Sequence, residues 1–538
     1  MSSATSAATS TGSPRPELPA ADTPARLTQA LSWAAAAGIG SAILIMIVAS
    51  AVQYSPAVPP PPWSSGLPLL EIAGHLPVAA TYAALWAAVI LGGGGVIAGL
   101  AAVARGARFP AGLLRGAALV TIAVLAVLPP AGSTDSLSYA TFGRIAADGH
   151  NPYVMTPYQL DRTGDPVGRL AVLIWGHRGS VYGPLATWEE RAAATLGGAS
   201  ATQIVFWLKL WNAIVFLGVA LGLDRMLRAD PARRARAHLL WSVNPLVLWG
   251  VVAAGHLQGM ATAASFFGLA MLRRRTRTDS GLAARAGLGG TAPPDPPGRP
   301  GLLSALAAGV LVGVAADLLL YYLILGLALA WALRRSPAAL IAAVAGMGAV
   351  VAVPYLSLGS PSLHVFLTRG GKASADNFYQ LFSKSFQHAL PMSAELVVVL
   401  ACAVLAGVLL ARLPDAAGDL PAIQPALAIG VAWLFLWYYQ LPWYDTMIIA
   451  LLALYPASRL DHVVIVQLAA GSLAMMPGGN PFQPPLGWLR TFSHAILFSW
   501  APLVLLAAVV AVVLLCVSQA WNVGPRLPGR SPGAPALG

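Results

Sequence analysis

Apolar runs of about 20 residues, each long enough to cross a bilayer as a helix, recur along the chain between short polar or basic joints. They fall at Trp33 to Val52, 78–104, 113–130, 202–223, 238–272, 302–333, 337–357, 393–411, 423–437, 444–457, 461–476 and 495–518. Two of them, 238–272 and 302–333, have length for two crossings, with breaks at Gly255-His256-Leu257-Gln258-Gly259 and near Asp317. The pattern predicts an all-α polytopic membrane protein with about 12–14 transmembrane helices.

Orientation follows from the joints. Arg105, Arg108 and Arg115 lie between the second and third runs, and Arg225, Arg228, Arg233, Arg234 and Arg236 follow the fourth. Arg273, Arg274, Arg275 and Arg277 open another joint, and Arg334-Arg335 a further one. Basic loops face the cytoplasm, which places the polar stretches 131–200, 255–259, 358–392 and 440–445 outside and both termini inside. The expected site of residence is the plasma membrane. Residues 1–28, rich in Ser, Thr, Ala and Pro, read as a disordered cytoplasmic tail. Residues 29–520 form one transmembrane domain, with 131–200 as its first external loop, 358–392 as its second and 273–300 as a flexible cytoplasmic loop. Residues 521–538 read as a second tail. The first apolar run is too long and too far from Met1 for a cleavable signal.

Composition agrees with the pattern: 57% of residues are hydrophobic, 10% are charged and mean hydropathy is +0.70. A net charge of +12 could point to nucleic acid, but its placement between apolar runs is that of membrane topology, so no nucleic-acid partner is expected. Cys402 and Cys516 both sit inside apolar runs, which argues against disulfides and thiolate metal sites. No dinucleotide fingerprint or P-loop occurs, and no cofactor or metal site is expected.

Candidate chemistry concentrates in 131–200. Its polar core runs Asp135-Ser136-Leu137-Ser138-Tyr139, Phe142-Gly143-Arg144, His150-Asn151-Pro152-Tyr153 and Val181-Tyr182-Gly183-Pro184. Asp135 follows a membrane run closely enough to be anchored by it, and an anchored carboxylate can take a proton from an attacking hydroxyl. Ser133, Thr134 and Asp135 would equally cap a short helix. Asp148, Asp161, Asp165, Glu189 and Glu190 are rival carboxylates. Channels and transporters place charged groups near the membrane midplane, where only Lys209 and Asp317 are candidates here. Lys209 could meet a lipid phosphate or snorkel to the headgroups.

These motifs, with Tyr182-Gly183-Pro184-Leu185, Asn244-Pro245-Leu246-Val247-Leu248, Gly255-His256 and Leu441-Pro442-Trp443-Tyr444, resemble the GT-C integral-membrane glycosyltransferases. The chain is most similar to the actinobacterial polyprenol-phosphate-mannose-dependent α-1,6-mannosyltransferases of lipomannan synthesis, over roughly residues 30–520. The resemblance implies a GT-C bundle and an inverting transfer of mannose from a polyprenyl-phosphate donor to a mannan or glycolipid acceptor, with Asp135 as base. It also implies cations at the donor phosphate, for which Arg144, Lys209, His256, Lys372 and Lys384 are the candidates, and Arg144 is nearest the base in sequence. Tyr139, Asn151, Tyr153, Tyr182 and Trp443 are the candidates for sugar contacts. Two departures stand out: relatives often carry Gly-His-Asn-Asp where this chain has Gly255-His256-Leu257-Gln258, and a basic residue where it has Asp317. A different lipid-phosphate sugar such as arabinose, or a lipid or polysaccharide transporter, are the alternative readings.

Overall fold

The computed structural model describes residues 23–59, 69–170, 175–273, 300–359, 361–362, 374, 376–382, 392–414, 419–476 and 486–521. The expected tails, most of the 273–300 and 358–392 loops, and the candidates Lys372 and Lys384 lie outside the described residues.

The protein is all-α. Among the described residues six helices are long and apolar enough to cross a membrane: α1 (Ala25–Ala51), α2 (Val78–Ala104), α7 (Ala201–Met226), α12 (Pro337–Leu358), α13 (Met392–Arg412) and α17 (Gly487–Ser518). One broken pair, α8 (Pro231–Ala253) and α9 (Gln258–Met271), turns through 116° at the predicted polar break. Shorter apolar helices fill in between: α3 (Ala111–Val127), α10 (Leu302–Leu318), α11 (Leu320–Leu333), α14 (Ile423–Leu436), α15 (Pro442–Leu454) and α16 (Leu460–Met475). The break between α10 and α11 is an extended Leu319, two residues after Asp317. Leu303, Ile341, Val404 and Val517 are exposed on the outside of the bundle, as side chains facing lipid tails must be. Strand is confined, among the described residues, to a parallel pair, β1 (Val52–Tyr54) with β2 (Ile72–His75).

The stretch 131–200, expected as an external loop, is not a loop. Among its described residues it holds three α-helices, α4 (Asp135–Ala147), α5 (Pro157–Arg162) and α6 (Pro184–Gly197), and α4 is largely buried against α6 and α7. Local signals place their starts. Pro157 and Pro184 stand in the first turns of α5 and α6, where a missing N–H costs nothing. Thr156 and Gln159 form a capping box on α5, with bonds of 2.8 and 3.3 Å. A Cβ on Gly143 would collide with the backbone carbonyl of Glu190, so only glycine lets α4 and α6 approach this closely.

The basic joint after α7 also differs from a solvated loop. Arg236 is 2% exposed and pairs in a fork with Asp461 of α16, while donating to the carbonyls of Leu452 and Tyr455 at 3.0 and 2.7 Å. Arg234 pairs with Asp224 at 2.6 Å. Arg236 thus fastens α8 to the ends of α15 and α16, and Arg234 fastens it to α7, so these charges serve packing.

Candidate functional site

The seven residues that lead into Asp135 are held from three sides. The ammonium of Lys209, a fully buried residue of α7, donates to the carbonyls of Leu128 (2.5 Å) and Pro129 (3.1 Å) just past the end of α3. Ala131 N–H donates to the Ala253 carbonyl, and Gly132 N–H to that of Ala57. A cation on the last carbonyls of a helix is also favoured by the helix dipole. Lys209 is therefore bound to backbone through two of its three N–H groups, rather than reaching a lipid phosphate or snorkelling to the headgroups, the two roles its position allowed.

Asp135 is the first residue of α4. Thr134 occupies the cap position and makes no side-chain cap bond, and the only bond that Asp135 contributes to the turn is from its backbone N–H to Ser133 Oγ (3.1 Å). Its carboxylate is thus not the helix cap that the sequence equally allowed. It is 20% exposed, and burial pushes its pKa up to about 6, which leaves an ionised group of high proton affinity near neutral pH.

Facing it, at the corner between α8 and α9, is His256. The positive φ of Gly255 (+71°) turns the chain there, and a side chain at that position would press on Lys209 Cγ at 3.0 Å. His256 is fully buried, its Nδ1 lies 2.5 Å from the Gly250 carbonyl oxygen, and its Nε2 lies 3.5 Å from Asp135 Oδ2. The ring packs on Trp443 at a centroid distance of 3.9 Å. Trp443 is 9% exposed, so it is part of this corner rather than of an interfacial belt.

The tyrosines expected at the site come together. Tyr139, one turn along α4 from Asp135, meets Tyr182 edge-on at 5.1 Å. The Tyr153 hydroxyl donates to the Tyr182 carbonyl at 3.0 Å and pairs with Thr187 Oγ1 at 3.1 Å. Asn151 Oδ1 accepts the Tyr153 N–H at 2.9 Å, so it shapes the turn that carries Tyr153. Burial, and then the nearby Tyr182 and Asp135, push the Tyr139 hydroxyl above its usual range, so it stays a neutral donor. Its oxygen is buried without a hydrogen-bond partner.

Arg144 does not join this group. It lies nine residues beyond Asp135 on the same helix, roughly 13 Å along the axis and on the opposite side. Its guanidinium is held by Asp165 (2.8 Å) and Asp148 (3.2 Å), so two of the rival carboxylates serve to hold this end of α4. Proximity in sequence misled because half-turns accumulate along a helix.

Two features escaped the sequence reading. Tyr321 stacks on Trp433 at 4.9 Å and on Tyr444 at 4.5 Å, which forms an aromatic wall from three separate helices. Glu190, a rival carboxylate by sequence, is fully buried with both oxygens unpartnered. Burial and the neighbouring Glu189 push it well above the carboxylate range. Asp317 has a structural partner as well: Oδ1 accepts the Leu185 N–H at 2.7 Å, at the first turn of α6. Among the described residues no group of three or more His, Cys, Asp or Glu side chains could hold a metal ion.

Fold and site together define a helical membrane protein with a largely buried carboxylate, Asp135, near the paired rings of Tyr139 and Tyr182. Residues 35–358 match the MptA_B family, described as alpha-(1->6)-mannopyranosyltransferase, N-terminal domain, and the chain belongs to that glycosyltransferase family. The match contains Asp135, His256, Lys209 and the tyrosines, and ends before Trp443. No curated protein matches. Among solved structures, the arabinosyltransferase EmbB from Mycobacterium smegmatis, determined by cryo-EM, aligns with 16% identity and a TM-score of 0.35. The alignment covers 83% of this chain and 42% of EmbB, so the chain spans less than half the length of that protein.

Proposed function

We propose that this protein is an inverting glycosyltransferase that moves mannose from a polyprenyl-phosphate donor to a mannan or glycolipid acceptor, in α-1,6 linkage. Asp135 is the base. The acceptor hydroxyl oxygen attacks the anomeric carbon, its proton passes to the Asp135 carboxylate, and the bond from that carbon to the phosphate oxygen breaks. The electron pair leaves with the polyprenyl phosphate. A phosphate leaving group needs no partner acid, so one carboxyl suffices where glycosidases use two. The observation that carries this reading is a carboxylate that is anchored, largely buried and used by no cap, inside the region that matches the family. Tyr139 and Tyr182 supply hydroxyl and ring surface suited to a sugar.

The same reading puts the reaction on the outer face of the plasma membrane, with cytoplasmic termini and one catalytic domain over residues 29–520. The test is transfer in detergent with purified full-length protein, polyprenyl-phosphomannose and a short mannoside. Product should form without a sealed bilayer, and Asp135→Asn should slow it at least about a hundredfold, within the usual range for loss of general-base catalysis. Turnover within a few-fold of the parent at equal folded protein would remove Asp135 from the role.

A further inference from the structure

The corner at His256 constrains where hydrogens can be. A carbonyl oxygen only accepts, so the close Nδ1 contact to Gly250 puts the ring hydrogen on Nδ1. In a neutral ring, Nε2 is then a bare lone pair. That nitrogen is buried, has no hydrogen-bond partner, and points to an Asp135 oxygen 3.5 Å away. An ionised carboxylate is also acceptor-only. Two lone pairs face one another, and a single proton between them turns that repulsion into an O–H···N bond.

We propose that His256 is a positioning residue that sets the proton affinity of Asp135, by offering Nε2 as the acceptor for the Oδ2–H that forms when Asp135 takes the proton of the attacking hydroxyl. The proposal rests on the reading of Asp135 as base. The proton stays on Asp135 Oδ2, and His256 changes neither its bonding nor its charge. This role differs from the donor-phosphate contact expected of His256, because a neutral ring whose one hydrogen is on Nδ1 has none on Nε2 to give a phosphate.

The surroundings fit a fixed neutral acceptor. Trp443 covers one ring face. From α4 and the segment just before α6, the hydroxyls of Tyr139 and Tyr182 face Asp135, with Glu190 behind them. From α7 comes Lys209, whose ammonium is bound to Leu128 and Pro129. From α15 come Trp443 and Tyr444. Among the described residues no lysine or arginine forms an ion pair with Asp135, so nothing there offsets the lone pair of Nε2.

The experiment reads the Asp135 proton directly. In the purified full-length protein without substrates, the infrared carboxylic C=O band that disappears in Asp135→Asn is followed against pH. His256→Phe keeps a ring on Trp443 but has no lone pair, and should lower the midpoint by roughly half a unit to one unit, as loss of one hydrogen bond to the protonated form requires. His256→Gln, whose amide oxygen can accept, should restore part of that shift and serves if the Phe variant does not fold. The acidic limb of the kcat/KM profile should move with the band. An unchanged or raised midpoint in folded variants overturns the proposal. Full sugar transfer by Asp135→Asn would instead overturn the base assignment, while the titration still reports whether His256 and Asp135 are coupled.

Discussion

Arg236 of α8 and Asp461 of α16 stand 225 positions apart in sequence and are joined by two hydrogen bonds of 2.6 Å, with both side chains 2% exposed. Removing one partner strands a buried charge, which typically costs about 3–5 kcal/mol. Arg236→Ala should therefore lower the melting temperature in detergent sharply. Arg236→Met with Asp461→Leu together should recover much of it, because apolar pairs of similar volume replace such bridges at little cost. Equal melting of parent and single variant would show that the pair carries no stability.

Lys209 gives a prediction that separates scaffold from ligand contact. In Lys209→Met the carbonyls of Leu128 and Pro129 lose their donor, at roughly 1–3 kcal/mol for each buried group left bare. Melting temperature should fall, and transfer with it, while the affinity of folded protein for donor lipid stays near the parent value. Parental melting with lost donor binding would return Lys209 to the lipid phosphate.

Asp135 should weaken the fold that holds it. The folded protein keeps its proton up to about pH 6, against an ordinary value of 3.8, so it binds the proton more tightly than the unfolded chain does. Stability is then lost as pH rises through that window, by up to roughly 3 kcal/mol above it. Asp135→Asn carries no such penalty and should melt higher than the parent at pH 7.5, with the gain vanishing below about pH 4. A constant difference across that range would contradict the raised proton affinity.

Topology can be read on intact cells. With Cys402 and Cys516 replaced, a cysteine at the exposed Thr195 of α6 should react with an impermeant thiol reagent. One at the exposed Ala229, in the basic joint after α7, should react only after permeabilisation. The reverse pattern would invert the whole orientation.

The spans were legible because a bilayer demands about 20 apolar residues whatever the neighbours do. The helices of 131–200 were not, because α4 buries Ser136, Ser138 and Thr141, residue types that pattern alone assigns to a solvated loop. The site was legible in part. Asp135, Tyr139 and Tyr182 lie together as expected, and Trp443 joins them through His256. Arg144 was placed at the base because sequence distance ignores the helical half-turn, and Lys209 was given to lipid because its backbone partners come from another helix. The opposition of Asp135 and His256, and the meeting of Tyr321 with Trp433 and Tyr444, are products of helix packing and leave no trace in local spacing.

The bond from Asp317 of α10 to the Leu185 N–H has an engineering consequence. It ties α6 to a membrane helix more than a hundred residues downstream, while Lys209, Ala57 and Ala253 tie the Asp135 segment to three further places in the bundle. The stretch 131–200 is accordingly not a portable module. Cut out, or grafted onto another bundle, it would leave behind the partners that hold its carboxylate, and specificity in such a protein has to be altered in place.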